Sequence, residues 1–387
     1  MKQIGKDQSF SREYNTELVL KSLKEEPKSC TELSRQLSLS NATLSSITKD
    51  LAEEGIIQIC EYTSVSGLGR KRMIYEINKM YALILSINIS NLHAVITVSN
   101  LHEEIMESVD IAVEKYDAAA IYQLILEATK LLIKYDLKES PLGYIVISLP
   151  GMVNSKTGEL VLSKQFDEEL FSERHFIQNA FKKQFPDTPI LLINDINLMT
   201  LGEMHQGEFD GVDNAVYISV DYGVGGGIVV NNKLFEGDMG YAGEFGLIKH
   251  FDGKNCQSID EYVSIRALIL EASKILKRNI NRDELFEEYN NNKKVHELVI
   301  ESARILGESI KKVYDILNIS RFVLSGRIIN FKDEYLKAVK EEATKNTVQP
   351  PEIVFSTLSN KAEIIGAISL GVNYILKSVT NKSERNK

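Results

Sequence analysis

From about residue 79 onward the chain alternates β-branched runs with amphipathic ones, and this alternation restricts the fold more than any other feature. The runs "YALILSINIS", "AVITVSN", "GYIVISLPG", "ILLINDIN", "NAVYISVDYG", "GGIVVNN" and "RFVLSG" are short, rich in Val and Ile, and mostly bounded by turn residues. That is the pattern of buried strands. "AAIYQLILEATKLLIKYD", "SIRALILEASKILKRN" and "VHELVIESARILGESIKKVYDIL" instead repeat apolar residues at helical spacing. Strands interleaved with helices predict an α/β body, here of two lobes with a cleft at the carboxyl ends of strands.

Residues 1–78 read differently, as a separate domain ahead of a 79–387 body. "NTELVLKSLKEEPKSCTELSRQLSLSNATLSSITKDLAEEGII" predicts three short helices. The first ends before Pro27; the second opens on Ser29 and Glu32, spaced as a capping box; the third follows Ser40 and stops at Gly55. Leu44, Ile47 and Leu51 form the buried stripe of the third, which leaves Asn41, Thr43, Ser45, Ser46 and Lys49 on its polar side. Two short helices joined by "SLS" make a helix-turn-helix, whose second helix enters the DNA major groove. The strand-like runs that follow flank a glycine turn bearing Arg70, Lys71 and Arg72, a cationic wing for phosphates. With Arg35 of the second helix, these residues are the expected DNA contacts. The bland alternative is a small helical bundle with a solvated charge run.

Charge supports a division of labour. Residues 1–78 hold 11 basic and 11 acidic side chains, so the whole net charge of −9 falls on the body. An acidic chain does not coat nucleic acid indiscriminately, although a local basic patch is compatible with it. Cys30, Cys60 and Cys256 are scattered and odd in number, which fits a reducing cytosol, and neither a secretory leader nor a membrane helix is expected. The expected location is the cytoplasm.

The glycine-dense stretch "DYGVGGGIVVNNKLFEGDMGYAGEFG", residues 221–246, raises the question of phosphate binding, since such loops let backbone N–H groups close around an anion. Carboxylates accompany it. Asn194 and Asp195 follow an apolar strand; Glu244 sits between glycines; Asp260 and Glu261 lie in "DEYVS". An ionised carboxylate at a strand end can accept two hydroxyl hydrogen bonds or act as a general base, so the group suits a polyhydroxylated ligand. A lone Asp or Glu is otherwise a solvated surface charge, and Asp195 is also placed to cap the helix "NLMTLGEMHQ".

"ISLPGMVNSKTGEL", "NDINLMTLGE", the 221–246 stretch and "VFSTLSNKAEIIGAISLG", in that order, resemble the ROK family of repressors, open reading frames and sugar kinases, in its branch with an N-terminal winged helix. The resemblance implies an actin-like sugar kinase fold with ribonuclease-H-like halves, and a homodimer or homotetramer. Two departures matter. Where the family's kinases carry an Asp-x-Gly-Gly-Thr phosphate loop, this chain has "NISNL", with Asn88, Ser90, Asn91 and Leu92; the second glycine loop begins with Asp221 and Tyr222. An Asp221 carboxylate would repel phosphates, so no ATP chemistry and no cofactor are expected. The family's structural zinc needs a His and a cysteine cluster; here Leu247 takes the His position and the cluster shrinks to Cys256, with His250 nearby, so no metal is expected.

The resulting expectation is a sugar-responsive transcriptional repressor that binds duplex DNA on an inverted repeat. Its effector would be held by Asn194, Asp195 and Glu244, with Asp260 or Glu261 assisting. Xylose, glucose and N-acetylated hexosamines all fit a carboxylate-lined site. The alternatives are a sugar kinase with Asp195 as base and a fused regulatory head, or a DNA-binding protein whose body only oligomerises.

Overall fold

The computed structural model describes residues 8–63, 72–90, 93–154, 156–163, 165–167, 170, 175–209, 211–359 and 361–380. These form two compact units. One comprises Met1–Ile147, Phe176–Leu191 and Ile368–Lys387; the other comprises Ser148–His175 and Leu192–Ala367.

The first unit opens with helix α1 (Gln8–Glu25), strand β1 (Lys28–Ser29), α2 (Cys30–Leu37) and α3 (Asn41–Glu53), followed by the hairpin β2 (Ile57–Thr63) and β3 (Arg72–Ile77). The expected capping box is present: Ser29 Oγ accepts from the Glu32 N–H while Glu32 accepts from the Ser29 N–H at 2.8 Å. Ser40 caps α3, Gly55 turns the chain after it with φ of 78°, and Leu33, Leu44, Ile47 and Leu51 are buried with Val19, Leu20 and Leu23 of α1. β1 pairs antiparallel with β3, and β3 with β2, giving a three-helix, three-stranded winged helix.

The same unit continues through β4 (Leu83–Ser90), β5 (His93–Ser99), β6 (Ile105–Ala112), α4 (Ala118–Leu132) and β7 (Leu142–Leu149). After the short hairpin β8 (Met152–Asn154) and β9 (Glu159–Leu162), which belongs to the second unit, come α5 (Phe176–Gln184) and β10 (Ile190–Asn194); β7 from Ser148 and β10 from Leu192 are likewise of the second unit. A five-stranded sheet results, in the order β10-β7-β4-β5-β6. Residues Leu83–Ile89 of β4 are all buried, which explains why five of the seven are Leu or Ile, although the polar Ser86 and Asn88 are buried among them. β6 escapes an apolar-run search because it is an edge strand with "IMESVDIA" largely facing solvent.

The expected boundary at 78/79 lies inside this unit. Lys24 of α1 pairs with Glu103 at 2.8 Å and donates to Asn373 at 3.1 Å; the His102 ring meets the Ile77 carbonyl at 2.7 Å; Leu101 N–H donates to the Lys79 carbonyl at 3.0 Å. A cavity of about 210 Å³ is lined by Arg12, Thr16 and Asp50 together with Val379 and Thr380 at the chain's last described helix.

The second unit runs through α6 (Asp195–Gln206), β11 (Ala215–Val220), β12 (Val224–Val229), β13 (Lys249–Phe251), β14 (Cys256–Ser258), α7 (Asp260–Val263), α8 (Ile265–Leu276), α9 (Arg282–Asn291), α10 (Lys293–Leu317), β15 (Arg321–Ser325), α11 (Lys332–Ala343), β16 (Glu352–Phe355) and α12 (Lys361–Thr380), whose residues from Ile368 onward belong to the first unit. Its sheet has the order β12-β11-β15-β16, with β12 antiparallel to β11 and the other neighbours parallel. β11 is buried on both faces, and its two-residue period sorts the core. Val216, Ile218 and Val220 join the large cluster with α8–α11, whereas Ala215 and Tyr217 meet Ile196 and Met199 of α6. One described helix, α12, is long and apolar enough to cross a membrane by length and composition, and most of that apolar stretch is buried within the protein.

Candidate functional site

On the winged helix, the α3 stripe Leu44, Ile47, Thr48 and Leu51 faces inward, so Asn41, Ser45, Ser46 and Lys49 are exposed. Thr43 is half-buried and its hydroxyl lies 2.9 Å from Ser40 Oγ, which gives it a share in the cap. Lys49 pairs along the helix with Glu53 at 3.7 Å, and Arg35 of α2 is exposed. The sequence reading missed Arg12: from α1 its guanidinium donates to Ser46 Oγ at 3.3 Å and pairs with Asp50, placing a cation beside the exposed face of α3. Arg70 and Lys71 lie outside the described residues, as does the side chain of Arg72, whose backbone pairs with Thr63.

The carboxylate site in the second unit starts where β10 ends. Asn194, not Asp195, is the cap of α6: its Oδ1 accepts from the Asn197 N–H at 3.0 Å, and its Nδ2 donates to the Gly151 carbonyl at 2.7 Å and to Asp195 Oδ1 at 3.1 Å. Asn194 is thus a clamp between the 148–175 segment and α6, its amide group largely spent on structure. Asp195 occupies the first helical position, where Oδ1 also accepts from the Ile196 N–H at 2.9 Å.

Asp195 keeps some accessible surface but is enclosed on nearly all sides, and its carboxyl is pushed up to about 8 by that burial and then by the negative charge of Glu363, with Glu244 adding to it. The expected ionised acceptor is therefore mostly a protonated acid at neutral pH, able to donate one hydrogen bond as well as accept. Glu244 is half-buried and its carboxyl is raised by desolvation; its backbone carbonyl accepts from the Leu247 N–H at 3.1 Å, while its carboxylate has no hydrogen-bond partner among the described residues. Glu363, absent from the sequence reading, is only 8% exposed and accepts a 2.5 Å hydrogen bond from Ser148 Oγ. Nothing local in "KAEIIG" announces it.

Asp260 and Glu261 point to other work. Asp260 Oδ1 accepts from the Val224 N–H at 3.0 Å and Oδ2 from Arg266 at 3.0 Å, which ties the glycine hairpin to α8. Glu261 is exposed and pairs with the same arginine at 3.1 Å. Arg266, six residues beyond Asp260, draws both carboxylates. Glu203 of α6, wholly buried, is likewise a brace: it accepts from Ser356 Oγ and, at 2.9 Å, from the Glu208 N–H.

The glycine stretch has a packing explanation. Gly225, Gly226 and Gly227 lie in β12, in register with Ser219, Ile218 and Tyr217. A Cβ on Gly226 would lie 2.2 Å from the Phe245 ring, and one on Gly227 2.0 Å from Thr200 Oγ1 of α6. Helix and turn approach the strand too closely for any side chain. Asp221 does not stand as an unpaired negative charge, because Arg327 pairs with it. In the counterpart of the first phosphate loop, Asn88 is buried on β4 and Ser90 Oγ donates to the His93 carbonyl at 3.1 Å; Asn91 and Leu92 lie outside the described residues.

His250 pairs with Glu308 at 3.2 Å and packs edge-on to Tyr262, while Cys256 is exposed one residue out of register from it. Among the described residues no three His, Cys, Asp or Glu side chains are grouped to hold a metal ion.

Residues 84–373 match the ROK family. The chain belongs to the ROK family. Among its ROK relatives, the xylose repressor of Caldicellulosiruptor bescii is 25% identical over 398 residues, covering 94% of this chain and 97% of that protein. A solved ROK family transcriptional regulator, a homologue of the E. coli MLC protein, superposes with a TM-score of 0.81 at 21% identity, over 96% of this chain and 98% of that one. The ROK hexokinase of Thermus thermophilus gives 0.63 at 20% identity, over 74% of this chain and 96% of its own. The α/β body thus has the actin-like sugar kinase fold implied by the resemblance, and the regulator's likeness extends over the N-terminal region as well.

Proposed function

We propose that this ROK protein is a sugar-responsive transcriptional repressor of carbohydrate-utilisation genes, acting in the cytoplasm as a homodimer or homotetramer. The observation that carries this reading is a winged helix whose α3 presents Asn41, Ser45, Ser46 and Lys49 to solvent, on a chain whose body has a sugar-kinase fold. Similarity to xylose repressors along nearly the whole chain supports it. Residues 1–78 bind an inverted-repeat operator through α3, Arg35 and the Arg70–Arg72 wing. Residues 79–387 bind the effector through Asp195 and Glu244, with Asn194 holding their frame. A sugar weakens DNA binding only by preferring one of two arrangements of the protein.

Fluorescence anisotropy with an inverted-repeat duplex tests this directly: the full chain binds and xylose, glucose or an N-acetylated hexosamine releases it. Undiminished DNA affinity after removal of residues 1–78 would refute the assignment of the head. The second reading is an ATP-dependent sugar kinase, favoured by a carboxyl at the start of α6 and the hexokinase's fold. Asn88 and Ser90 in place of an acidic, glycine-rich phosphate loop count against it. Sugar-dependent ATP turnover that Asp195→Asn abolishes would establish the kinase.

A further inference from the structure

We propose that the cavity between the winged helix and the strands behind it, inside the first unit, binds a small aliphatic amine through Glu54 and Glu139. The inference does not rest on the sugar-effector reading, whose residues Asn194, Asp195 and Glu244 all belong to the second unit.

The cavity measures about 420 Å³, within the range of small-molecule sites. Its wall on the head side is the end of α3, where half-buried Glu54 lines it. Gly55 turns the chain there with φ of 78°, and a Cβ on it would meet nothing within 4 Å, so this wall is open. The floor is closed and apolar. A Cβ on Gly143 of β7 would lie 2.8 Å from Ile375 Cδ1 of α12 and 2.9 Å from the Ala82 Cβ, just ahead of β4. Ala82 and Ile375 are buried, whereas Glu139 and Ser378 are exposed and form the rim.

Hydrogen bonding decides which ligand this lining suits. Asn78 is engaged in holding the chain between head and strands: its Nδ2 donates to the Gly55 carbonyl at 2.9 Å and its Oδ1 accepts from the Met80 N–H at 3.2 Å. The Glu54 and Gly55 N–H groups donate to the Asp50 and Ala52 carbonyls, and Ser378 Oγ donates to the Ile375 carbonyl at 2.7 Å. The side chains of Glu139 and Tyr81 make no hydrogen bond or ion pair among the described residues. None of the residues that line the cavity is Lys, Arg or His. Apart from the Tyr81 hydroxyl, the recess therefore offers acceptors and negative charge over an apolar floor. An ammonium group carries three donors and no acceptor, and its hydrocarbon stem covers the floor. A neutral sugar brings as many acceptors as donors and finds few partners for them, and an anion is repelled.

Calorimetric titration of the full-length chain without DNA tests the site, with putrescine and spermidine as probes and the uncharged diol of putrescine's length as the control. One amine should bind per chain, more weakly in high salt, and the diol should give no heat of binding. Glu54→Gln removes a charge-assisted contact and should weaken the amine about tenfold to a hundredfold. Ser378→Trp, at the exposed rim, blocks the mouth without touching either carboxylate and should abolish binding. Melting temperatures check that each variant folds; if Glu54→Gln does not, Glu139→Gln and Ser378→Trp decide. Absence of binding by both amines overturns the proposal, and so does a diol that binds as well as the diamine. Amine binding that survives both Glu54→Gln and Ser378→Trp lies elsewhere on the surface and overturns it too. Magnesium chloride that displaces the amine from the wild type, with the same dependence on Glu54, would make this a metal site and refute the amine assignment.

Discussion

Asp195→Asn keeps the shape of the acid while removing its titration, and this exposes a cost built into the site. A carboxyl that ionises at 3.8 when free and near 8 when folded binds a proton in the folded chain that the unfolded chain has released. Over that window stability falls as pH rises, with a slope of about 1.4 kcal/mol per pH unit for one proton. The contribution is complete below pH 4 and is lost as pH climbs through 8. Between pH 5 and pH 7 the wild type therefore gives up about 2.7 kcal/mol that the Asn variant does not. Urea unfolding of both proteins at the two pH values isolates the effect of Asp195 and of the groups coupled to it, Glu363 and Glu244, because titrating groups that do not interact with Asp195 cancel in the difference. The stability gap in favour of Asn should widen by about that amount. A gap that stays constant within error would mean that Asp195 is ionised and solvated in the folded chain, and the account of the enclosed acid site would be wrong.

Asn194→Ala removes both the α6 cap and the tie to Gly151, so it should cost about 1–3 kcal/mol in urea unfolding, more than a cap alone. Gly227→Ala should destabilise by about 1–3 kcal/mol through overpacking against Thr200, and trimming Thr200 to Ala in the same chain should recover part of it; independent costs would refute the packing explanation. Replacing Arg70, Lys71 and Arg72 with Ala should weaken binding to all duplexes and flatten the log–log salt dependence by roughly 0.9 per lost phosphate contact, whereas Ser45→Ala should alter sequence preference. Arg12→Ala should change stability by less than about 1 kcal/mol because its ion pair with Asp50 is exposed, yet lower operator affinity.

Local chemistry made the head legible. Ser29, Glu32 and Ser40 act within four residues of themselves, and the Leu44–Leu51 stripe follows from helical period alone. The carboxylate site was half legible for the converse reason. A strand-end "ND" marks a site, but which of the two caps the helix depends on side-chain directions, and the cap fell to Asn194. Asp260 looked available until Arg266 and the Val224 N–H claimed its two oxygens. Glu363 finds its partner in Ser148, 215 positions away, which no periodicity encodes. The body glycines suggested anions because close approach to a phosphate and close approach to a helix demand the same residue.

The way the winged helix is anchored bears on how new regulators of this kind are recombined. A cut after residue 78 severs Lys24 from Glu103 and Asn373, and Ile77 from His102, so a head grafted onto a foreign body arrives with an orphaned lysine and an unmatched underside. Chimeras that carry residues 100–104 and 373–380 along with the head preserve those ties. In this architecture the head is joined to the rest of its unit by side-chain ties as well as by the chain itself.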